Sequence, residues 1–305
     1  MWFKNLVVYR LPADWDLSPC DLEERLQRRR LQPCGPLEML SRGWVAPAAG
    51  ERLVHTVGLQ QLFALGVDQR LLPASVIRQE VKERADLLEQ EQGFPVGRRQ
   101  LRELKLRVAD EMRPRAFVRR RVTRAWLDPA GRWFCVEAAG APRAEELVEM
   151  LRETLGTFPI TPVDTEHAPH LAMAAWLRAG DAPLRFTIDQ DLELQGAAPS
   201  KALVRYARHP LDGKPVQQHL QDGLQPTRLG LTWNDRVSFV LTTKLQVKRI
   251  DFLEVQDEAA DGGETDAQGQ FDADFAMMAG ELAALLADLV VALGGKSARE
   301  QAAAA

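Results

Sequence analysis

Cysteine is scarce in this chain. Cys20, Cys34 and Cys135 are the three in 305 residues, and they lie far apart. An odd number without close pairs excludes a disulfide framework and a CxxC metal knuckle, and a reducing cytoplasm is the expected compartment. Long apolar runs are missing as well. The nearest candidate, Phe271 to Leu293, is interrupted by Asp272, Asp274, Glu281 and Asp288. It does not read as a membrane span, which needs about eighteen or more apolar residues. The opening MWFKNLVVYRL has neither a long apolar run nor a small-residue cleavage site, and is not read as a signal peptide. No P-loop, GxGxxG, nucleophile elbow or HExxH occurs, so nothing points to an ATPase or a hydrolase. His167 and His170 are spaced HxxH, but Pro169 lies between them and no third ligand is near, so no metal site is read there. An excess of positive charge is also lacking. The formal net charge is −4, with a pI near 5.8, and only the distribution of charge can argue for a nucleic-acid partner.

What is present is an ordinary globular composition, 46% hydrophobic and 27% charged, enough to build a core. Phe3 to Leu11 reads as a strand. Asp21 to Leu31 reads as a short helix whose basic end, Arg28 to Arg30, suits the helix dipole. Leu53–Val57 and Gln61–Val67 read as strands turning near Gly58. From Pro73 the apolar period becomes helical. Ser75–Glu91 and Arg98–Arg113 form a helical hairpin broken at Gly93, Pro95 and Gly97, with little apolar surface, expected to project. Phe117–Leu127 and Arg132–Glu137 are strands around the turn Asp128-Pro129-Ala130-Gly131. Ala144–Leu155 and Ala172–Ala179 are helices, Pro183–His219 gives no clear pattern, and Val237–Thr242 with Leu245–Phe252 form a hairpin. Phe271–Leu293 is the most apolar helix, stopped by Gly294-Gly295, and the tail SAREQAAAA is expected to fray. The absence of βαβ regularity predicts an α+β fold with mixed or antiparallel sheets. The expected division is 1–72 with 114–160 as a central α/β region, 73–113 as a hairpin tip, and 161–305 as a second α+β region with the long C-terminal helix.

The charge is segregated. RPRAFVRRRVTR, residues 113–124, holds six arginines in twelve residues. Between Arg98 and Arg124 eleven Lys or Arg face three acids, a local +8, which leaves −12 for the rest of the chain. Ten of the eleven are arginine, whose guanidinium fork suits phosphate better than a point charge does. This points to contact with a phosphate backbone, which gives affinity without sequence choice. A solvated charged face is the plainer reading. No zinc-finger spacing, RNP-like aromatic run or helix-turn-helix accompanies the band. Phe117 sits among these arginines. Strand alternation would place it with Arg115, Arg119 and Arg121, opposite Ala116, Val118 and Val122. Core packing and an exposed contact with another subunit both remain open for it.

Residues 251–274 hold nine Asp or Glu and no Lys or Arg, and the middle, DEAADGGETDAQGQ, reads as a disordered loop. In FDADF, Asp272 is expected to cap the last helix, with Asp274 in its first turn. A DxD metal pair is the alternative, but no second acidic motif accompanies it.

MWFKNL at 1–6, VYRL at 8–11, PCG at 33–35, GWV at 43–45, PRAF at 114–117, FDADF at 271–275, GELAALL at 280–286 and LGG at 293–295 together resemble the recombination-associated protein RdgC family, in order along nearly the whole chain. The resemblance implies a nucleoid-associated protein of the bacterial cytoplasm. It further implies a horseshoe-shaped α+β subunit that closes into a ring-shaped homodimer around duplex DNA, binding without sequence preference and restraining RecA. It implies no catalysis, cofactor or metal. The DNA-binding residues would be Arg98, Arg99, Arg102, Arg113, Arg115, Arg119, Arg120, Arg121 and Arg124. A second cluster, Arg205, Arg208, His209 and Lys214, falls where the family has a lysine-rich finger, although VRYARHPLDGK matches that finger poorly. The PRAF match places Phe117 at a subunit contact. The acidic remainder, including 251–274, would discourage DNA from the outer surface. An Mg²⁺-dependent DNA-processing enzyme and a scaffold for an acidic protein partner are the competing readings.

Overall fold

Strand β1, Asn5–Arg10, carries the β-branched pair Val7-Val8 and is largely buried on both faces, as a strand with neighbours on both edges requires. In a computed structural model of the chain, which describes residues 2–196, 202–253 and 267–297, β1 pairs antiparallel with β6, Trp133–Val136, on one side and with β12, Val247–Phe252, on the other. Among the described residues there are seven α-helices and a large antiparallel sheet, the α+β architecture the sequence predicts. The chain divides into two compact units. The first comprises Met1–Arg25, Ala46–Phe63 and Thr123–Ala305, the second Leu26–Val45 and Ala64–Val122.

In the first unit the sheet continues from β12 through β11 (Val237–Thr242), β10 (Gln225–Trp233) and β8 (Phe186–Gln195) to β9 (Leu203–Tyr206), every pair antiparallel. On the other side, β6 pairs with the later residues of β5, Val118–Asp128. The turn between them forms as expected, with Asp128 Oδ1 accepting from the Gly131 amide at 3.1 Å. Alternate residues of the meander, among them Leu192, Leu229, Leu231 and Leu241, are buried in one core with Phe275, Met278, Leu282, Leu285 and Leu289 of the last helix, α7, Ala267–Ala292. That helix is long and apolar enough to cross a membrane by length and composition. Here eight of its residues, from Phe275 to Val290, are buried, while Val291 is exposed. Two of its acids are engaged: Asp288 accepts from Trp233 Nε1 at 2.9 Å, and Glu281 pairs with Arg236 at 2.9 Å.

Several expectations need correction. α7 begins at Ala267, not Phe271, so Asp272 lies inside the helix rather than capping it. There it accepts from Gln268 Nε2 at 2.9 Å and meets His55 Nε2 at 3.1 Å. The same shift makes 267–270 helical. The remainder of the segment read as a loop, with the rest of 254–266, lies outside the described residues, as do 298–305 of the tail. The first helix, α1, is Pro19–Gln27 and ends before Arg28–Arg30. These arginines follow its C-terminus directly. The chain then runs beside β2, Leu40–Val45, with the Trp44 amide donating to Arg29 O and the Leu31 amide to Trp44 O, both at 2.9 Å. Gly43 allows this approach: a Cβ there would stand 2.4 Å from the Leu31 Cα. Pro183–His219, which gave no pattern, holds β8, β9 and α6, Lys214–Gln221; α4 and α5 are Ala141–Leu155 and Pro169–Ala179.

The second unit pairs β2 with the later part of β4, Gln60–Arg70, in the register Leu40↔Gln69 to Val45↔Ala64. It then sends out α2, Ala74–Gln92, and α3, Arg98–Met112. The break between them has a local cause. Gly93 takes φ +74° and its amide donates to Glu89 O, while the Glu89 carboxylate accepts from the Val96 amide at 2.8 Å. The hairpin packs around a small core of its own, Val81, Ala85, Val96, Leu104 and Val108.

Candidate nucleic-acid interface

The second unit carries the charge that the sequence set apart. Its two segments hold 18 Lys or Arg against 10 Asp or Glu, a net +8 for this unit, and every basic residue of the 98–124 band except Arg124 lies in it. On α3 the helical period turns Leu104 and Val108 into the hairpin core and leaves Arg98, Arg99, Arg102, Lys105 and Arg107 exposed. Arg99 keeps a pair with Glu103 at 3.1 Å, but both side chains are solvated. Such an i,i+4 pair contributes only a few tenths of a kcal/mol, about 0.3–0.5, and yields readily to a stronger anion.

The turn that follows, RPRAF, is held from beneath by Arg70. This buried guanidinium reaches six carbonyl oxygens with its five N–H groups, Nη1 being shared among the last three: Glu38 at 3.0 Å, Cys34 at 3.2 Å, Gly35 at 3.0 Å, Arg113 at 3.2 Å, Pro114 at 3.3 Å and Ala116 at 3.2 Å. The PCG and PRAF segments are thereby tied to the end of one strand. The Leu71 amide adds a 2.8 Å bond to Phe117 O. Phe117 itself is 85% exposed, so it is not a core residue of this chain. Beside it opens a cavity of about 800 Å³ with Leu71, Leu72, Val76 and Met112 in its wall and Arg115 on its lining.

The arginines of the band divide by what they touch. Arg98, Arg99, Arg102, Arg115 and Arg119 are exposed, and Arg119 makes a long bond to Gln69 Oε1 at 3.4 Å. Arg121 is half-buried. Arg113 is tied to Asp110 at 3.0 Å and to Leu37 O at 3.3 Å. Arg120 places both arms of its fork on Asp68, each at 2.7 Å. Arg124 falls in the first unit, where it pairs with Glu137 at 3.4 Å; burial pushes the Glu137 carboxyl up and Arg124 opposes that shift. Spacing alone could not separate arginines that already have a partner from those that face water.

Asp68 offers a pH test. The Arg120 fork holds its carboxyl below the usual carboxylate range, against the opposing effect of burial. A carboxyl depressed on folding stabilises above its unfolded pKa of about 3.9, and that contribution is lost as pH falls through the folded value. Asp68→Asn is therefore expected to destabilise the second unit by about 1–2 kcal/mol at neutral pH. That is less than a fully buried pair loses, because the Arg120 side chain is 57% exposed. The difference from the parent should vanish in acid, in denaturant titrations at pH 7 and below pH ~3. A difference that persists in acid would assign the loss to packing.

In the first unit Arg205, Arg208 and Lys214 are all exposed. The Arg208 amide donates to Asp191 Oδ1 at 3.2 Å, with φ +52°, and Lys214 opens α6. Arg205 instead shares a smaller cavity with Arg228, Lys248 and Arg249. These three were missed, since they come from strands far apart in the chain. The signal that could have found them is the register of the meander.

The chain matches, over residues 1–296, the family model described as "RdgC: Putative exonuclease, RdgC". Curated relatives carry the name Recombination-associated protein RdgC. One from Dechloromonas aromatica (strain RCB) is 50% identical over 299 residues, covering 97% of this chain and 98% of that protein. One from Cupriavidus pinatubonensis (strain JMP 134 / LMG 1197) is 47% identical over 296 residues, covering 97% and 99%. One from Herminiimonas arsenicoxydans is 43% identical over 300 residues, covering 98% and 100%.

Proposed function

The chain belongs to the RdgC family, and from that premise we propose that it binds duplex DNA without sequence preference, as a ring-shaped homodimer that encircles the duplex and restrains RecA-dependent recombination. The observation that carries this reading is the concentration of +8 in the second unit, displayed by exposed arginines on α3 and around the RPRAF turn. Guanidinium groups facing water without a base-reading motif suit backbone phosphates. A closed ring needs no tight local contact, because topology alone retains the duplex. Occupied duplex is then withheld from RecA, and the protein would act in the cytoplasm, on the nucleoid, without turnover or cofactor.

A second reading, an Mg²⁺-dependent exonuclease, is favoured by the description of the family model. It would need converging carboxylates. Among the described residues no group of three or more His, Cys, Asp or Glu is placed to hold a metal. The deciding experiment is fluorescence anisotropy on two unrelated duplexes across a salt series, with and without Mg²⁺. Equal affinities, a steep negative salt slope and intact DNA are expected. Shortened DNA in Mg²⁺ would establish the exonuclease. A flat slope or no binding would turn the arginines towards an acidic protein partner.

Phe117→Ala tests the homodimer. Burying a phenylalanine is worth about 1.5–3 kcal/mol. Sedimentation should show self-association weakened by about tenfold or more, with the thermal midpoint unchanged, because the side chain is exposed in the subunit. A lowered midpoint with unchanged association would contradict the contact.

A further inference from the structure

We propose that the first unit holds a phosphate-group site built by Arg205, Arg228, Lys248 and Arg249 on the open face of its sheet; the choice of DNA as the source of that phosphate rests on the reading above, the site itself does not. The register assembles three of the four, and Arg249, next to Lys248 and at φ +51°, lines the same cavity and pairs there with Asp191. Glu193 stands opposite Arg205 on one side and Arg228 on the other, while Lys248 stands opposite Asn5 and Val240. Side chains directly opposite across a sheet share a face. The alternate residues Leu192, Leu194 and Leu229 are buried on the other face, in the core that includes α7. The basic row is thus the uncovered side of the meander, and nothing in the local sequence around any one member shows it.

Charge and space both favour a small anion. Two of the four cations have carboxylate partners: Arg249 on Asp191 at 2.7 Å and Arg228 on Glu193 at 3.5 Å. Among the described residues no ion pair or hydrogen bond reaches the Arg205 guanidinium or the Lys248 ammonium. Burial and the neighbouring Arg228 push the Lys248 pKa down, with Glu193 opposing. A cation that is partly desolvated beside a like charge is relieved by a bound anion. The cavity measures about 190 Å³, below the roughly 300–1,000 Å³ of a pocket for a drug-sized ligand. It suits a phosphate group with its ester substituent outside. Asn5 Oδ1 accepts from the Arg249 amide at 3.3 Å, which leaves the Asn5 side-chain nitrogen to donate to the phosphate.

The phosphate could come from the duplex backbone or from a free nucleotide, and the test separates the two. Lys248→Gln with Arg205→Gln is compared with the parent by calorimetry with inorganic phosphate and adenosine monophosphate, and by duplex anisotropy across salt. Tenfold or greater loss of inorganic phosphate binding is expected, with the duplex salt slope reduced by about one unit per lost contact. Loss of adenosine monophosphate binding with unchanged duplex binding would keep the site and assign it to a free nucleotide. A parent that binds no duplex but binds adenosine monophosphate through Lys248 would end the DNA reading and leave the site standing. A parent that binds duplex, with variants unchanged towards all three probes, would overturn the site and leave the DNA reading intact. Arg205→Gln alone, an exposed position in the last strand of the meander, gives the same comparison should the double variant fail to fold.

Discussion

Alanine at Arg98, Arg99, Arg102, Arg115 and Arg119 together is expected to abolish most duplex binding while leaving the subunit folded. The five are exposed, and among the described residues none is paired with a buried group. Each phosphate neutralised by a cation contributes about −0.9 to the slope of log affinity against log salt. Removing all five should flatten that slope by about four units and weaken binding at least about a hundredfold at low salt, equally on unrelated sequences. The comparison that gives the result meaning is Arg113→Ala with Arg120→Ala. It removes the same kind of charge, but from guanidinium groups occupied by Asp110, the Leu37 carbonyl and Asp68. Those changes should lower stability and move the slope less. Equal slope changes per arginine removed in the two sets, in anisotropy titrations, would show that a partner within the protein does not decide which arginines make the contacts.

The contrast between these two sets marks where sequence reading succeeds and where it ends. The hairpin was legible because two independent local signals agree: apolar residues at helical spacing on either side, and Gly93, Pro95 and Gly97 between them. The β5–β6 turn was legible because Asp128 and Gly131 are chemically suited to it and in fact bond to one another. The last helix was legible in kind, but its start was misplaced. Asp272 has the chemistry of a cap, yet it faces His55, which sequence distance hides. Charge segregation could be counted from the chain, and the placing of all but Arg124 of the band in one unit follows from the fold. Which arginine serves the protein and which serves a ligand depends on single long-range partners such as Asp68. The Arg205–Arg228–Lys248–Arg249 row depends on strand register, and a one-residue slip would reverse the face of every side chain. β8 and β9 escaped notice for a related reason. In FTIDQDLELQ the apolar alternation of Phe186, Ile188, Leu192 and Leu194 is broken at Gln190, and β9 is only four residues long.

Arg70 is the residue for which the sequence offers least and the fold most. It stands at the end of β4 with no motif around it, yet it supplies the donors for six carbonyl oxygens from two separate segments. Among the described residues no carboxylate pairs with it, and carbonyl dipoles stabilise the buried charge. Arg70→Met keeps a stem of similar length and removes every donor. The carbonyls of 34–38 and 113–116 then have no partner there, and each buried orphan costs about 1–3 kcal/mol unless water reaches it. A net loss of about 3–5 kcal/mol is expected, placing this among the most damaging single changes in the second unit. Arg70→Lys should recover little, since three donors on one nitrogen cannot span the positions that a planar fork with five reaches. Hydrogen exchange should show protection lost first at 34–39 and 113–117, ahead of the first unit's sheet. Because the same carbonyls fix the backbone that presents Arg115 and Phe117, DNA binding and self-association should weaken together in Arg70→Lys even at temperatures where the chain remains folded. If either survives at the parental level, the RPRAF turn holds its shape without the clasp, and the order of PCG and PRAF must come from their own turn chemistry.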